Sequence, residues 1–170
     1  MKNIVLIGMP GSGKSTVGVI LAKTLGTYFI DTDLIIQVQQ KNTLQRLIDL
    51  YGIERFLDCE EEAILTVSEE GNAVIATGGS AVFRDGAMKH LKKNGTVIYL
   101  DLPVGELERR LSNIKTRGVA CRKGESVSDI FDERSPYYER YADIKIDCTH
   151  KTPEEIVEKI VESVEISQNL

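Results

Sequence analysis

The chain has 170 residues, about the length of one compact domain, so we expect a single domain over residues 1–170. Its net charge of −5 is opposite in sign to that of most nucleic-acid-binding modules, and none of its apolar runs approaches the roughly 18 residues of a membrane span. Its three cysteines form no Cys-x-x-Cys pair, which argues against a zinc site or a disulfide framework. We therefore expect a cytoplasmic protein with no nucleic-acid or membrane partner.

The first predicted strand, residues 4–7, leads directly into a glycine-rich motif. Residues 8–15 read Gly-Met-Pro-Gly-Ser-Gly-Lys-Ser, the phosphate-binding loop (P-loop) pattern of a nucleoside triphosphate site. Glycines let backbone N–H groups approach phosphate oxygens, Lys14 supplies charge for the β and γ phosphates, and Ser15 offers a hydroxyl to Mg²⁺. A helix predicted over residues 16–25 adds the N–H groups of its first turn. The predicted nucleotide-binding residues of this loop are Gly11, Ser12, Gly13, Lys14, Ser15 and Thr16.

Four further apolar runs alternate with helical patterns along the chain. They cover residues 28–30, 74–76, 97–100 and 144–146. This alternation is typical of a parallel sheet with helices on both faces, a three-layer α/β fold. A last helix is predicted from Thr152-Pro153-Glu154-Glu155, a capping box with proline at the first helical position.

Two stretches fit this alternation poorly. Residues 34–70 form a long helical pattern after the second strand, and residues 112–125 are rich in Ser, Asn, Gly and Lys. In a phosphotransferase, additions of this kind hold the second substrate and close over the nucleotide. We therefore predict a substrate-binding segment at about 32–70 and a lid at about 112–125.

Two carboxylates follow the second predicted strand. Asp31 and Asp33 lie at its carboxyl end, where α/β sheets place their ligands. If the strand continues through them, alternate residues share a face, so one carboxylate points to Mg²⁺ and the other to a substrate hydroxyl. The alternative is an Asx turn that caps the next helix.

Other polar residues at the predicted ligand edge are weaker signals when taken singly. Gly78 and Gly79 follow the third strand and permit close approach to a ligand, although a tight turn gives the same pattern. Arg117 lies in the predicted lid, where it could neutralise charge on the transferred phosphoryl group. Arg134 and Arg140 lie on a helical stretch, and a guanidinium fork suits a carboxylate or a phosphate.

A triphosphate site alone suits several classes of protein. A switch GTPase needs an Asn-Lys-x-Asp element, which the sequence lacks. A regulatory protein that binds ATP and transfers nothing has a use for the P-loop but none for Asp33 or Arg117. The combination therefore favours a kinase over both alternatives.

Together these elements resemble the shikimate kinase family over nearly the whole chain. The matching elements are residues 8–15, Asp31-Thr32-Asp33, Phe56 followed by Glu60, Gly78-Gly79, Arg110, Arg117, and Arg134-Ser135-Pro136-Tyr137-Tyr138. The resemblance implies a single P-loop kinase domain of the nucleoside-monophosphate-kinase type, with sheet order 2-3-1-4-5. It also implies that a monomer uses ATP and Mg²⁺ to phosphorylate the 3-hydroxyl of shikimate, a precursor of aromatic amino acids.

The same resemblance implies a role for each candidate residue. Asp33 would hold the acceptor hydroxyl as a base or orienting group, and Asp31 would bind Mg²⁺ alongside Ser15. Arg117 would be the lid residue on the phosphates, so that Asp33, Lys14 and Arg117 form the catalytic set. The remaining implied contacts are Arg110 on adenine, and Gly79 and Arg134 on the acceptor.

The chain departs from the family pattern at the acceptor site. Leu57 stands where the family carries an arginine that clamps the shikimate carboxylate, and Ser80 replaces the third glycine of the turn. Loss of one charge-assisted hydrogen bond would weaken shikimate binding about 10- to 100-fold. Arg55 should point away from Leu57, because positions two apart on a helix do not share a face. Either another arginine, Arg84 or Arg140, completes the clamp, or the acceptor is a less anionic hydroxy compound.

Overall fold

In a computed structural model of the chain, the structure describes residues 1–111 and 118–168. The strands are β1 Asn3–Ile7, β2 Tyr28–Asp31, β3 Ala73–Ala76, β4 Gly95–Asp101 and β5 Ile144–Asp147. The helices are α1 Lys14–Leu25, α2 Thr32–Gln40, α3 Leu44–Leu65, α4 Asp85–Lys93, α5 Val104–Arg110, α6 Val127–Tyr141 and α7 Pro153–Gln168, with a 3₁₀ turn at Ala81–Phe83. All five strands predicted from the apolar runs are present, each within two residues of the expected bounds.

The five strands form one parallel sheet in the order β2-β3-β1-β4-β5. This confirms the predicted α/β architecture and its strand order. The central strand β1 pairs with β3 on one side and β4 on the other, so Val5 lies opposite both Ile75 and Val97. All five residues of β1 and all four of β3 are buried, as expected for strands covered by helices on both faces.

Three loops lie at the carboxyl edge of the sheet. The loops after β1, β2 and β3 contain the P-loop, Asp31-Thr32-Asp33 and Gly78-Gly79 respectively. Because the strands are parallel, these loops lie side by side, at the place where ligands bind in open α/β sheets.

The helical segment after β2 has a small core of its own. The segment consists of α2 and α3, and α3 contains one residue with a non-helical backbone, Gly52 at φ 80°. The second cluster of buried side chains is Ile36, Leu44, Leu47, Phe56, Leu57, Cys59, Ala63 and Ala120. This cluster fixes the face of α3 that carries Phe56 and Glu60 toward the carboxyl edge of the sheet.

The last helix begins as the sequence predicts. Thr152 and Glu155 exchange hydrogen bonds between side chain and backbone at 3.2 and 2.7 Å, and Pro153 is the first helical residue. The three cysteines are free thiols. Within the described ranges, no helix is long and apolar enough to cross a membrane.

Candidate active site

The P-loop joins β1 to α1 through backbone conformations that require glycine. Gly11 and Gly13 have φ of 79° and 94°, and a β-carbon on Gly8 would lie 2.7 Å from the carbonyl oxygen of Leu100. Since α1 begins at Lys14, the N–H groups of its first turn face the loop and give it the anion-binding character of a helix N-terminus.

Lys14 is held against the loop it belongs to. Its ammonium donates hydrogen bonds to the carbonyl oxygens of Gly8 and Met9, both at 2.8 Å. Burial lowers the pKa of Lys14 to about 8, although the carboxylate of Asp33 opposes the shift. The ammonium is therefore positioned by two carbonyl oxygens beside the phosphate-binding backbone.

Ser15 and Asp31 meet across the gap between α1 and β2. The Ser15 hydroxyl donates to the Asp31 carboxylate at 2.8 Å, and the other oxygen of Asp31 accepts the Asp33 N–H at 3.0 Å. Asp31 thus caps α2, as the Asx-turn alternative predicts, and its other oxygen reaches Ser15. Its role as a magnesium ligand stays a prediction.

The geometry expected for Asp33 was wrong in one respect. Asp33 does not continue the strand, because α2 begins at Thr32. Its carboxylate turns into the site from the first turn of a helix, where a negative charge is favoured. Burial and the neighbouring charge of Asp31 raise the pKa of Asp33 to about 6, with Lys14 acting against them.

The glycine turn after β3 brings its backbone against the acid side chains. A β-carbon on Gly78 would lie 2.1 Å from Oε1 of Glu60 and 2.9 Å from Oδ1 of Asp33, so a larger residue would collide with both. The Gly78 N–H donates to the Thr32 hydroxyl at 3.3 Å. The carbonyl of Gly79 accepts the Tyr138 hydroxyl at 2.6 Å, a bond that fixes the turn to α6.

Arg134 enters the site from α6 and is 1% exposed. Its Nη2 donates to the carbonyl oxygen of Ala120 at 2.5 Å, and its guanidinium lies over the ring of Phe83, 5.3 Å from the centroid. A β-carbon on Gly79 would stand 3.0 Å from Nη1. The guanidinium is therefore fixed beside the glycine turn, and its contact with an acceptor stays a prediction.

Glu60 is the site residue whose role sequence reasoning missed. It is 1% exposed; its Oε2 accepts the Ser80 hydroxyl at 2.6 Å, whereas its Oε1 has no hydrogen-bond partner among the described residues. Burial raises the pKa of Glu60 to about 7; the Ser80 hydrogen bond opposes this shift, and the charge of Asp33 adds to it. A signal was available, since Glu60 follows Phe56 by one helical turn and shares its buried face.

These side chains surround one cavity of about 600 Å³. Of the predicted site residues, those lining it are Gly11, Gly13, Lys14, Ser15, Thr16, Asp33, Gly79, Arg110 and Arg134. Ser12 is buried within the loop, and Asp31 accepts a hydrogen bond from the Ser15 hydroxyl. Arg117 lies outside the described residues, as do residues 112–117 of the predicted lid at about 112–125. The described end of that segment, Gly118 to Ala120, forms part of the cavity wall.

The arginines considered as substitutes for the missing clamp are engaged elsewhere. Leu57 is buried in the second cluster, and Arg55 points away from it to an exposed ion pair with Glu62, as its helical position predicts. Arg84 pairs with Asp58 at 2.8 Å, and Arg140 lies over the ring of Tyr141. Neither Arg84 nor Arg140 lines the cavity.

The match to known proteins covers nearly the whole chain. A family model described as shikimate kinase matches residues 10–165. The chain belongs to the shikimate kinase family. A shikimate kinase from Thermodesulfovibrio yellowstonii is 39% identical over 99% of this chain and 98% of that protein. The shikimate kinase of Acinetobacter baumannii, solved in complex with shikimate, matches with a TM-score of 0.91 and 28% identity over 100% of this chain and 96% of that one.

Some relatives of this shikimate kinase family member are much longer than the chain. Threonine synthase-like 1 from Pongo abelii is 37% identical over 99% of this chain, but the chain spans 23% of that protein. Family membership makes the chain an ATP-dependent phosphotransferase that acts on an alcohol. It also confirms the predicted P-loop kinase fold.

Proposed function

We propose that this chain transfers the γ-phosphoryl group of ATP to the 3-hydroxyl of shikimate, in the supply of aromatic amino acids. The observation that carries the proposal is one cavity lined both by Lys14 of the P-loop and by Asp33, Gly79 and Arg134. We assign the P-loop residues to its nucleotide end, and Asp33, Gly79 and Arg134 to its acceptor end. The proteins named shikimate kinase among the relatives, one of them solved with shikimate, support this choice of acceptor.

The residues at the nucleotide end have distinct tasks in this proposal. Backbone N–H groups of the P-loop and the Lys14 ammonium hold the phosphates, and Lys14 stabilises charge on the β and γ oxygens. Arg110 lines the same end and lies with its Nη1 3.4 Å from the carbonyl oxygen of Gly11, a position suited to the base of the nucleotide. Arg117 is proposed to act from the lid.

Magnesium fits the oxygen donors beside the P-loop. The Ser15 hydroxyl and the Asp31 carboxylate, which lie 2.8 Å apart, would hold Mg²⁺ together with the nucleotide, since hard oxygen ligands are those that Mg²⁺ prefers. Over the described residues, no group of three or more His, Cys, Asp and Glu side chains could hold a metal by itself, which agrees with a site shared with the nucleotide. When bound, Mg²⁺ supplies charge neutralisation at the β and γ phosphates.

At the acceptor end, we propose that Arg134 binds the carboxylate and Asp33 aligns the hydroxyl. The acceptor oxygen forms a bond to the γ-phosphorus while the bond to the bridging oxygen breaks, and ADP leaves with the electron pair. Such transfer needs position and charge more than covalent help. Asp33 accepts a hydrogen bond from the hydroxyl and takes its proton as the phosphate ester forms.

The direct test identifies the product. Purified protein is incubated with Mg²⁺, ATP and shikimate, and the product is examined by ³¹P nuclear magnetic resonance and mass spectrometry. We expect one new phosphate monoester whose phosphorus couples to the proton on carbon 3 of the ring. ATP turnover without a phosphorylated shikimate, in protein that binds ATP, would overturn the assignment of the acceptor.

A further inference from the structure

One carboxylate at the acceptor end has no task in the reaction described above. Glu60 lines the cavity with Asp33 and Arg134, is 1% exposed, and has one oxygen without a partner among the described residues. Burial of an unpaired charged oxygen is costly unless a cation or a hydrogen-bond donor meets it. The structure therefore presents an unmatched hydrogen-bond acceptor in the wall of the substrate cavity, against Gly78.

Both departures from the family pattern affect this carboxylate. Leu57 precedes Glu60 by three residues on α3, so the two positions are neighbours on one helical face. An arginine at position 57 would be placed to pair with Glu60, and the leucine removes that cation. Ser80, in place of a glycine, donates its hydroxyl to the opposite oxygen at 2.6 Å, which holds the carboxylate in place but brings no positive charge to it.

The acceptor end of the cavity therefore has one positive charge fewer than the family pattern gives it. Asp33 and Glu60 contribute two carboxylates, and of the described arginines Arg134 is the one whose guanidinium reaches this end. With Lys14 engaged by nucleotide phosphates, and at a pH above the pKa values of about 6 for Asp33 and about 7 for Glu60, a purely anionic acceptor meets more negative than positive charge. A zwitterionic acceptor avoids this, because its ammonium pairs with a carboxylate while its own carboxylate pairs with the guanidinium.

The two opposite charges lie beside one short turn of the chain. Oε1 of Glu60 approaches Gly78, and Nη1 of Arg134 approaches the adjacent Gly79. They therefore face neighbouring residues of one short turn. In an α-amino acid, the ammonium and carboxylate groups are attached to the same carbon, so such a ligand presents its two charges to a short stretch of the site.

We propose that this cavity also accepts amino acids that bear a side-chain hydroxyl, with Arg134 on the carboxylate and Glu60 on the ammonium group. The side-chain hydroxyl is phosphorylated as shikimate would be: its oxygen bonds to the γ-phosphorus, the bridging bond breaks, ADP leaves with the electron pair, and Asp33 takes the proton. The proposal rests on the phosphotransferase activity of the family and on this cavity as acceptor site, not on shikimate itself.

The test uses two matched pairs of acceptors in an assay of Mg²⁺–ATP-dependent ADP release. L-serine is compared with 3-hydroxypropionate, and L-homoserine with 4-hydroxybutyrate, so that each pair differs by the ammonium group alone. For at least one pair, we expect kcat/KM to be about 10- to 100-fold higher for the amino acid. This is the ratio that one additional charge-assisted hydrogen bond gives. A phosphate ester of the amino acid, identified by mass spectrometry, must accompany the ADP. Equal rates within both pairs would overturn the proposal.

Variants of the carboxylate separate ammonium recognition from a general loss of activity. Glu60→Gln keeps the shape of the side chain and should abolish the preference for the amino acid within each pair. Glu62→Gln, on the exposed side of the same helix, is the matched control and should keep that preference. Retention of the preference in Glu60→Gln would contradict the role given to Glu60.

Restoring the arginine of the family pattern at position 57 gives a second readout. Leu57→Arg places a cation beside Glu60 and should lower kcat/KM for the amino acid while raising it for shikimate. A rise for both acceptors would count against the charge argument. Should this buried variant fail to fold, the matched pairs and Glu60→Gln still decide the question.

Shikimate is assayed in parallel, so that the two proposals fail separately. Turnover of shikimate with no preference in either pair contradicts the further inference and supports the proposed function. The opposite result, turnover of an amino acid but not of shikimate, overturns the proposed acceptor and supports the inference. No turnover with any acceptor, in protein that binds ATP, contradicts both.

Discussion

At the scale of single residues, the site depends on acids that the fold holds partly or fully away from water. Asp33 and Glu60 lie within reach of the same glycine, Gly78, and burial raises the pKa of both. Such shifts are common where a protein positions groups for chemistry rather than for stability. The pair therefore offers two separable tests, one of catalysis and one of folding.

The first prediction concerns catalysis by Asp33. Asp33→Asn removes the charge that aligns the acceptor hydroxyl but keeps the size of the side chain. We expect kcat to fall by about 10²- to 10⁴-fold, while the dissociation constant for ATP, measured by calorimetry, changes little. Asp49→Asn, an exposed change on α3, is the control. Wild-type turnover in Asp33→Asn would remove Asp33 from the mechanism.

The second prediction concerns the pH dependence of stability. Because the pKa of Glu60 is raised to about 7 in the folded protein from an ordinary 4.5, the native state binds this proton more tightly than the unfolded state. The resulting stabilisation is present below pH 4.5 and is lost as pH rises through about 7. Between pH 5 and 8, the free energy of unfolding in urea should thus fall less in Glu60→Gln than in the wild type.

The exposed variant Glu62→Gln serves as the control for this titration. It should lose the same free energy of unfolding as the wild type over the same range of pH. An equal loss in Glu60→Gln would mean that the Glu60 carboxyl is not titrating in the folded protein as described.

At the scale of elements, α6 positions the acceptor site through contacts with two loops. Arg134 holds the carbonyl of Ala120 and Tyr138 holds that of Gly79, so one helix fixes both the wall that follows the predicted lid and the turn after β3. Tyr138 is fully buried and stacks on Tyr99 with ring centroids 5.1 Å apart. The orientation of α6 is thereby set by the sheet.

The third prediction follows from that arrangement. Tyr138→Phe keeps the stacked ring but leaves the Gly79 carbonyl without its donor, at a cost of about 1–3 kcal/mol. KM for the acceptor should rise while KM for ATP is unchanged, as measured by steady-state kinetics. Tyr137→Phe, at a position 38% exposed on the same helix, should alter neither constant. Unchanged kinetics and stability in Tyr138→Phe would show that this hydrogen bond does not hold the turn.

A fourth prediction tests how the wall of the cavity is anchored to α3. Gly118 has φ of 71°, and a β-carbon there would lie 2.4 Å from that of Leu44. Gly118→Ala should cost about 1–3 kcal/mol of unfolding free energy, measured by thermal denaturation. The control, Gly105→Ala, lies in α5 with open space around its β-carbon and should be neutral or mildly stabilising. Equal effects of the two substitutions would contradict this anchoring.

At the scale of the whole molecule, the sequence predicted the architecture well, for physical reasons. Short apolar runs that alternate with amphipathic segments leave few arrangements other than a parallel sheet with helices on both faces. The P-loop was equally readable, because its glycines meet a strict conformational need over eight consecutive residues. The strand order came from the family resemblance rather than from the apolar pattern.

What the sequence could not supply was the relation between distant residues. The start of α2 at Thr32 moved Asp33 off the strand, since a capping aspartate and a strand-end aspartate have the same local sequence. Leu57 and Ser80 looked like independent departures until the fold brought Ser80 to Glu60. Pairings between α3 and the turn after β3 depend on tertiary packing, which no local pattern encodes.

The central claim is that one cavity joins a P-loop nucleotide site to an acceptor site for shikimate. It is tested most directly by titrating shikimate into purified protein with saturating Mg²⁺ and ATP while ADP release is followed. We expect saturable stimulation of ADP release, with a KM for shikimate about 10- to 100-fold higher than an arginine at position 57 would give. A rate that stays flat at all shikimate concentrations, in protein shown to bind ATP, would contradict it.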